Sequence, residues 1–280
     1  MSETTACDIP PEQPAGRLLL EISFDGSEYA GWQIQPHCRT VQEVLQSILS
    51  KLFAGAPIHL TGSSRTDAGV HALGFAASFT YPHRPIIPME KLKQALNRLL
   101  PGAIRIRKIT AVPLEFHARF DAVGKAYTYV LNRGEETPFS GKYSWHLRQP
   151  IDLAAIAAAA GCLEGTHDFS SFVVERKKID DAVRTIYAIE LAEFGDFICL
   201  TFKGNGFLYK MIRCLTGTLE AVGAGRLTPD EVPRILAARN RLAAPDTAPA
   251  HGLFLMKVFY QQPALQEFRL RQVPFFIGAE

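Results

Sequence analysis

The stretch AVRTIYAIELAEFGDFICLTF, residues 182–202, consists of two strand-like apolar runs that flank Phe194, Gly195 and Asp196. Two runs of this kind around a short turn with glycine and aspartate are typical of a β-hairpin. The stretch therefore predicts a pair of neighbouring antiparallel strands. The elements on either side of this hairpin decide what kind of sheet it belongs to.

Strands and helices alternate through the first half of the chain. The run RLLLEISFDG (17–26) stops at Asp25–Gly26 and predicts a buried strand. In TVQEVLQSILSKLF (40–53), Thr40 and Glu43 have the spacing of a capping box, which predicts the start of a helix. Further strands are predicted at 74–81, 103–111 and 124–132, and a further helix at 88–100.

The second half has a similar order of elements. Asp152 is a candidate cap for the helix LAAIAAAAGCL (153–163), and LFLMKVFY (253–260) is a candidate closing strand. The segment FLYKMIRCLTGTLEAV (207–222) predicts a helix with one apolar face formed by Leu208, Met211, Ile212, Leu215 and Leu219. The two halves predict an internally duplicated α+β fold with helices on one side of an antiparallel sheet, and the polar turn at 132–143 marks their boundary.

The composition is that of a globular chain with a sizeable core. Of 280 residues, 47% are hydrophobic, and no run approaches the roughly 18 apolar residues of a membrane span. The five cysteines are widely spaced with no C-x-x-C pair, which favours a reducing, cytoplasmic compartment over a disulfide framework or a zinc ribbon. The first 16 residues hold three acids, three prolines and no base, a pattern that predicts a disordered tail and not a signal peptide.

The charge balance is compatible with a polyanionic partner. The whole chain has 30 basic and 28 acidic residues and a net charge of +2. Residues 17–280 keep every base and lose three acids, which gives +5. This balance alone does not identify the partner, because many enzymes with neutral substrates are as basic.

One short segment carries more reactive groups than a turn requires. In GSSRTDAGVHA (62–72), Asp67 lies in a loop between the first helix and the strand that follows. One interpretation is an Asx-turn, with the Asp67 side chain bonded to the backbone N–H of Gly69. The other is a reacting carboxylate, because Arg65 and Thr66 supply a cation and a hydroxyl that can keep it ionised and oriented.

Two pairs of side chains have the chemistry of metal ligands. His71 lies near Asp67, and His167 precedes Asp168 in GTHDFSSF (165–172). Neither pair belongs to a metal-binding signature, and a glycine-containing loop does not hold i, i+4 geometry. The sequence therefore predicts no metal site, and His167 and Asp168 are expected to brace their loop.

Two other segments carry candidate site residues. Tyr127 and Tyr129 lie two apart on a strand and so face the same side, either packed in the core or offered to a nucleic-acid base. Lys210 and Arg213 lie three apart at the edge of an apolar helical stripe. They are either a solvated flank or cations at the margin of a cleft that pair with an acid or a phosphate.

Several segments together resemble the tRNA pseudouridine synthase A family. They span residues 17–260 and follow the family's order: DGSEYAGWQIQP (25–36), RTVQEVL (39–45), GSSRTDAGVHALG (62–74), LNRLLP (96–101), FHARFDAVGKAYTYVL (116–131), GTHDFSSF (165–172), GNGFLYKMIRCLTGTL (204–219) and APAHGLFLMKVFY (248–260). The R-T-D-x-G-V-H-A motif is the most specific of them.

The resemblance implies a role for each matching residue. Asp67 would be the catalytic aspartate, Tyr127 would lie against the target base and handle a late proton at C5, and Arg213 would pair with Asp67. Arg65, His71 and Lys210 would contact RNA, and neither a metal nor another cofactor would be needed.

The resemblance also implies an architecture and a substrate. It implies two tandem ferredoxin-like halves that form one extended antiparallel sheet, in a homodimer without membrane association. Each cleft would take the anticodon stem-loop of a tRNA and isomerise uridine at positions 38–40. We divide the chain accordingly into a tail (1–16), an N-terminal half with the catalytic aspartate (17–140), a C-terminal half (141–262) and a C-terminal extension (263–280).

The sequence departs from the family pattern at two positions, and two other functions remain as alternatives. Ser64 and Phe75 stand where the family often has glycine and glutamine, which affects contacts beside the site and not a reacting group. A non-catalytic RNA-binding protein would need a basic groove and aromatic rings but not Asp67. A metal-dependent hydrolase would be built on the His-Asp pairs.

Overall fold

The computed structural model describes residues 16–82, 85–174 and 181–276. The strands are β1 (Gly16–Phe24), β2 (Thr61–Gly62), β3 (His71–Tyr81), β4 (Ile104–Val112), β5 (Gly124–Asn132), β6 (Trp145–His146), β7 (Gly165–Asp168), β8 (Val183–Phe194), β9 (Phe197–Gly204) and β10 (Leu253–Phe259). The α-helices are α1 (Val41–Leu52), α2 (Met89–Leu99), α3 (Leu153–Gly161), α4 (Met211–Gly223), α5 (Glu231–Ala238) and α6 (Gln262–Glu267). The predicted tail lies outside these residues except for Gly16, which begins β1.

The strands form one sheet in the order β4-β1-β3-β10-β5-β9-β8-β7, with β2 added to β3 and β6 added to β5. The predicted hairpin is confirmed, because β8 and β9 are antiparallel and Phe194 lies opposite Phe197. The prediction of a wholly antiparallel sheet is wrong for two pairs: β10 runs parallel to β3, and β6 runs parallel to β5. No hairpin turn joins β3 to β10, so chain connection does not force them to be antiparallel.

The same strand order occurs twice. The segment from β1 to β4 has the element order βαββαβ, with α1 and α2 as its helices, and its strands lie in the order β4-β1-β3-β2. Strands β5, β8, β9 and β10, with α3 and α4 between them, lie in the order β10-β5-β9-β8. Both are the ferredoxin-like arrangement. The second begins at Gly124, upstream of the predicted boundary at residue 141.

The helix starts follow the sequence signals. Thr40 caps α1 by accepting a hydrogen bond from the Glu43 backbone N–H, and Asp152 caps α3 by accepting from Ala154 and Ala155. Helix α4 begins at Met211, so Leu208 lies outside the helical face predicted for it. The physical reason is Lys210, whose left-handed conformation (φ 57°) separates the preceding loop from the helix.

The two faces of the sheet are covered differently. Buried side chains of α1 to α5 share one core with one face of the sheet, as the α+β prediction requires. The other face is covered as well, because a second core forms where the C-terminal segment (residues 262–276) packs on β5, β9 and β10. Leu265 of α6 and Val273 belong to this second core, and both are buried. Helix α6 therefore contradicts the prediction that helices lie on one face only.

Candidate active site

The loop that carries Asp67 rests on the turn after β1. Gly31 has φ +87°, and a Cβ there would lie 2.2 Å from the carbonyl oxygen of Thr66. A Cβ at Gly26 would lie 2.0 Å from the carbonyl oxygen of Val70. The Trp32 N–H donates to the Thr66 carbonyl across this contact, at 3.2 Å. Only glycine allows the two backbones to come so close, so these two positions fix the height of the loop over the sheet.

Asp67 pairs with Arg213, 146 residues further along the chain. Nη1 of Arg213 donates to Oδ2 of Asp67 at 2.7 Å, and each side chain is 14% exposed. Nε of Arg213 donates to the Ala248 carbonyl at 2.8 Å, so the guanidinium is held at two points. At this distance the cation and the carboxylate attract each other, and partial burial strengthens the attraction. The pair can present a dry, oriented carboxylate as a nucleophile or a base.

One face of β5 holds the loop that carries Asp67 and the loop that binds Arg213. Nζ of Lys125 donates to the Ser63 carbonyl at 2.7 Å, and Oη of Tyr127 donates to Oγ of Ser64 at 3.1 Å. Oη of Tyr129 donates to the Pro249 carbonyl at 2.8 Å, next to the residue that binds Arg213. Residues two apart on a strand share a face, so three successive side chains of that face position the site.

Tyr127 and Tyr129 are both buried, which favours the packing interpretation of this pair. The ring of Phe207 packs edge-on against Tyr127, with centroids 5.4 Å apart. Burial raises the pKa of Tyr127 to about 12, while the hydrogen bond with Ser64 lowers it and the Asp67 carboxylate raises it further. Tyr127 is therefore a neutral phenol near Asp67 at physiological pH.

Lys125 is a site residue that the sequence reasoning missed. It is 8% exposed, and among the described residues it makes no ion pair. Burial lowers its pKa to about 8, and the charges of Arg119 and Arg184 add to this effect. The sequence could have indicated Lys125, because it lies two residues before Tyr127. Residues two apart on a strand share a face, so Lys125 shares the face of Tyr127 and Tyr129.

His71 does not reach the surface in this structure, and its predicted contact with RNA stays a prediction. The ring is 2% exposed and stacks on Phe254, with centroids 4.7 Å apart. Nε2 faces the His251 carbonyl at 3.1 Å, while Nδ1 lies 3.1 Å from the Gly26 N–H and 3.2 Å from Oδ1 of Asp25. His71 thus ties the end of the Asp67 loop to the β1 turn, and it faces Asp25 instead of forming a ligand pair with Asp67.

Asp25 connects the contacts of His71 with those of residues 142–143. Nζ of Lys142 and Oη of Tyr143 both donate to Oδ2 of Asp25, at 2.7 and 3.0 Å. Partial burial raises the pKa of Asp25, but hydrogen bonds from His71, Lys142 and Ser27 outweigh it and hold the pKa far below its ordinary range. Asp25 therefore stays ionised and links the β1 turn to residues 142–143.

The two remaining predicted RNA contacts lie at the surface. Arg65 is exposed two residues before Asp67. Lys210 is half-buried immediately before α4, with Nζ 5.0 Å from the centroid of the Tyr209 ring. In the part of the chain that the structure describes, neither cation pairs with a carboxylate. Both are therefore available to an anionic ligand.

The candidate metal ligands have other partners. Nε2 of His167 faces the Glu164 carbonyl at 2.7 Å, and Oδ2 of Asp168 lies 3.2 Å from Nε of Arg239. Within residues 16–82, 85–174 and 181–276, no three His, Cys, Asp or Glu side chains come together as a metal site would need. In the same ranges, no helix has the length and apolarity that crossing a membrane would take.

The two departures in the motif each have a structural role. Ser64 supplies the oxygen that accepts the hydrogen bond from Tyr127, which a glycine could not do. Phe75 is fully buried and stacks on Trp32, with centroids 4.0 Å apart. Gly62 lies against both rings, and a Cβ there would be 2.5 Å from Nε1 of Trp32. Phe75 therefore supports the start of the Asp67 loop from the core.

Comparison with known proteins shows which family this chain is similar to. A tRNA pseudouridine synthase family model matches residues 22–121 and 159–261, a range that includes Asp67 and Arg213. The tRNA pseudouridine synthase A of Halalkalibacterium halodurans is 44% identical over 242 residues, which cover 85% of this chain and 90% of that protein. The one from Lacticaseibacillus casei is 45% identical over 244 residues, which cover 86% of this chain and 98% of that protein. The chain belongs to the tRNA pseudouridine synthase family.

Proposed function

We propose that this protein is an isomerase that converts uridine into pseudouridine in tRNA. The observation that carries the proposal is the Asp67–Arg213 pair, in a chain that belongs to this family. The reaction breaks the N1–C1′ bond, turns the uracil, joins C5 to C1′ and moves the C5 proton to N1. Atoms and electrons balance within the substrate, so a carboxylate and a route for one proton meet the chemical need.

Asp67 is the reacting carboxylate in this proposal. It attacks C6 or C1′, or removes the C2′ proton, and each of the three routes requires it to be ionised. Arg213 contacts the carboxylate at 2.7 Å and keeps its oxygen oriented. The low exposure of both side chains limits the competing hydration of the carboxylate.

Tyr127 handles the proton at C5. Its phenol lies within electrostatic reach of Asp67, with Ser64 as its hydrogen-bond partner. A phenol with a raised pKa is a weak acid and stays protonated, so Tyr127 transfers a proton as a relay, accepting one as it gives up its own. The buried edge-on contact with Phe207 keeps the ring in place.

We place the target uridine in the anticodon stem-loop, at tRNA positions 38–40. Removing the base from its stack costs a few kcal/mol, which favours loops and stem ends. Arg65 and Lys210 hold the RNA backbone, and the net charge of +5 over residues 17–280 supports a polyanionic partner. We also propose a cytoplasmic homodimer, as the family resemblance implies.

The test compares Asp67→Asn with the wild type in cells that lack the gene. Pseudouridine mapping across all tRNAs identifies the modified positions in the complemented strain. We expect Asp67→Asn to abolish these modifications with little change in Tm or tRNA affinity, because the amide keeps the shape of the side chain and an oxygen that can still accept from Arg213.

Asp230→Asn is the matched control, since Asp230 is exposed at the start of α5 and caps no backbone N–H there. Modification by Asp67→Asn at a near-normal rate would refute the mechanism. Unmodified tRNA with wild-type protein, together with tight binding, would instead indicate an RNA-binding protein without this activity.

A further inference from the structure

The C-terminal segment begins where the family match ends, at residue 261, and it is held on the sheet at several points. Leu265 is 2% exposed within the second core. Lys203 of β9 is itself buried, and its Nζ donates to the Phe268 carbonyl. The Phe268 ring packs edge-on against Phe259 of β10, with centroids 5.6 Å apart. The segment is therefore a fixed part of the fold.

Near its end, the segment joins a cluster of four rings. Phe275 stacks on Tyr143, with centroids 5.7 Å apart, and packs against Phe254 at 6.4 Å. His71 contacts the same two rings, because it stacks on Phe254 at 4.7 Å and packs edge-on against Tyr143 at 5.1 Å. We call these four residues the ring cluster. The place of the His71 ring is therefore set by two rings that Phe275 holds in turn.

His71 connects the two loops on which the ion pair depends. It is the first residue of β3 and directly follows the loop that carries Asp67. Its Nε2 lies 3.1 Å from the His251 carbonyl, in the loop before β10. The Ala248 carbonyl of that same loop accepts from Nε of Arg213. The imidazole is rigid, so a shift of the His71 ring changes how the two loops meet.

We propose that Phe275 is a positioning residue for the reaction. Through the ring cluster it fixes His71, and thereby the distance and angle between Asp67 and Arg213. The inference rests on the proposed function, in which this pair must be held in its reactive geometry before the substrate binds. Loss of the Phe275 ring leaves space into which the other rings of the cluster relax, and the contact of His71 with the loop before β10 loosens.

The experiment measures kcat and KM of the full-length protein on an unmodified tRNA transcript, for Phe275→Ala, Phe275→Tyr and the wild type. Val273→Ala is the matched control, because Val273 lies two residues away in the same segment and is 3% exposed in the second core. Each truncation lowers stability, so rates are measured well below the Tm of every variant. We expect Phe275→Ala to lower kcat about tenfold with an unchanged KM. Phe275→Tyr keeps a ring and should retain kcat, as should Val273→Ala.

A second readout does not depend on activity. The ring nitrogens of His71 are followed by NMR in protein labelled with ¹⁵N-histidine, and they are assigned with His71→Gln. We expect the His71 signals to shift and broaden in Phe275→Ala but to stay unchanged in Val273→Ala. A wild type that forms no pseudouridine would refute the proposed function, whereas unchanged His71 signals in Phe275→Ala would refute the positioning step alone.

The kinetics can also overturn the inference. An equal fall of kcat in Phe275→Ala and Val273→Ala would show that the C-terminal segment acts only through the stability of the sheet. A rise of KM in Phe275→Ala without a fall of kcat would contradict a role in the geometry of the ion pair. If Phe275→Ala does not fold, Phe275→Leu keeps an apolar side chain without a ring, and the same comparison with Val273→Ala decides.

Discussion

Replacing Lys125 by methionine is expected to stabilise the fold at neutral pH while it slows the reaction. The pKa of Lys125 falls from its ordinary 10.5 to about 8, chiefly through burial. A charged lysine in this position therefore destabilises the folded state by about 3 kcal/mol at pH 7. Methionine removes that term but leaves the Ser63 carbonyl without its donor, which costs about 1–2 kcal/mol. The net gain in unfolding free energy at pH 7 is then about 1–2 kcal/mol.

The pH dependence gives a sharper test than the absolute value. Between the folded pKa of about 8 and the unfolded value of 10.5, the unfolded chain binds the extra proton, so wild-type stability from this group rises with pH. Lys125→Met lacks this rise. The stability difference between variant and wild type should shrink by about 2 kcal/mol from pH 7 to pH 9.5, and titrations shared by both proteins cancel in it.

The assay is denaturant unfolding of both proteins at several pH values, with pseudouridine formation measured in parallel. Activity should fall in Lys125→Met, because Ser63 loses the contact that holds the Asp67 loop to β5. Lys125→Arg keeps a charge at this position and serves as the comparison. A variant that is less stable than the wild type at pH 7, by an amount that does not change with pH, would contradict this reasoning.

Three further changes test other parts of the structure. Tyr127→Phe keeps the buried ring and loses the hydrogen bond to Ser64, so it should lower the unfolding free energy by about 1 kcal/mol. Loss of the hydroxyl should also slow product formation strongly. Equal rates of product formation by Tyr127→Phe and the wild type would exclude a proton relay. Phe275→Ala removes a ring that stacks on Tyr143, with centroids 5.7 Å apart, and should lower the unfolding free energy by about 2 kcal/mol in thermal or denaturant unfolding. Phe276 is exposed, so Phe276→Ala should change the unfolding free energy little. Similar effects of the two variants would show that the C-terminal segment does not stabilise the sheet. Gly31→Ala places a Cβ against the Thr66 carbonyl at a positive φ, so it should cost at least about 2 kcal/mol and reduce kcat; an unchanged Tm would contradict the close approach.

Local features were predictable because local residues determine them. The turn at Gly195–Asp196 defined the β8–β9 hairpin, and Thr40 and Asp152 marked the starts of α1 and α3. The loop of Asp67 stood out because its sequence held more charged side chains than a turn uses. In each case a few residues that are neighbours in the sequence are enough to predict the feature.

Residues whose surroundings come from distant segments could not be predicted in the same way. All nine residues of β5 are buried, because helices cover one of its faces and the C-terminal segment covers the other. Burial of both faces removes the alternation that would have distinguished Lys125 from an ordinary exposed lysine. The burial of His71 could not be predicted for a related reason: it lies in a polar motif, but its ring packs against Phe254 and Tyr143.

The parallel pairing of β3 with β10 explains how Asp67 and Arg213 meet. His71 is in register with Phe254, so the loops that precede the two strands leave the sheet at the same end. The first loop carries Asp67, and the second supplies the Ala248 carbonyl that holds Arg213. An antiparallel pairing would place these loops at opposite ends of the strands. The two βαββαβ units meet at this pair of strands, so each unit contributes one partner of the ion pair and the site forms only when both are joined.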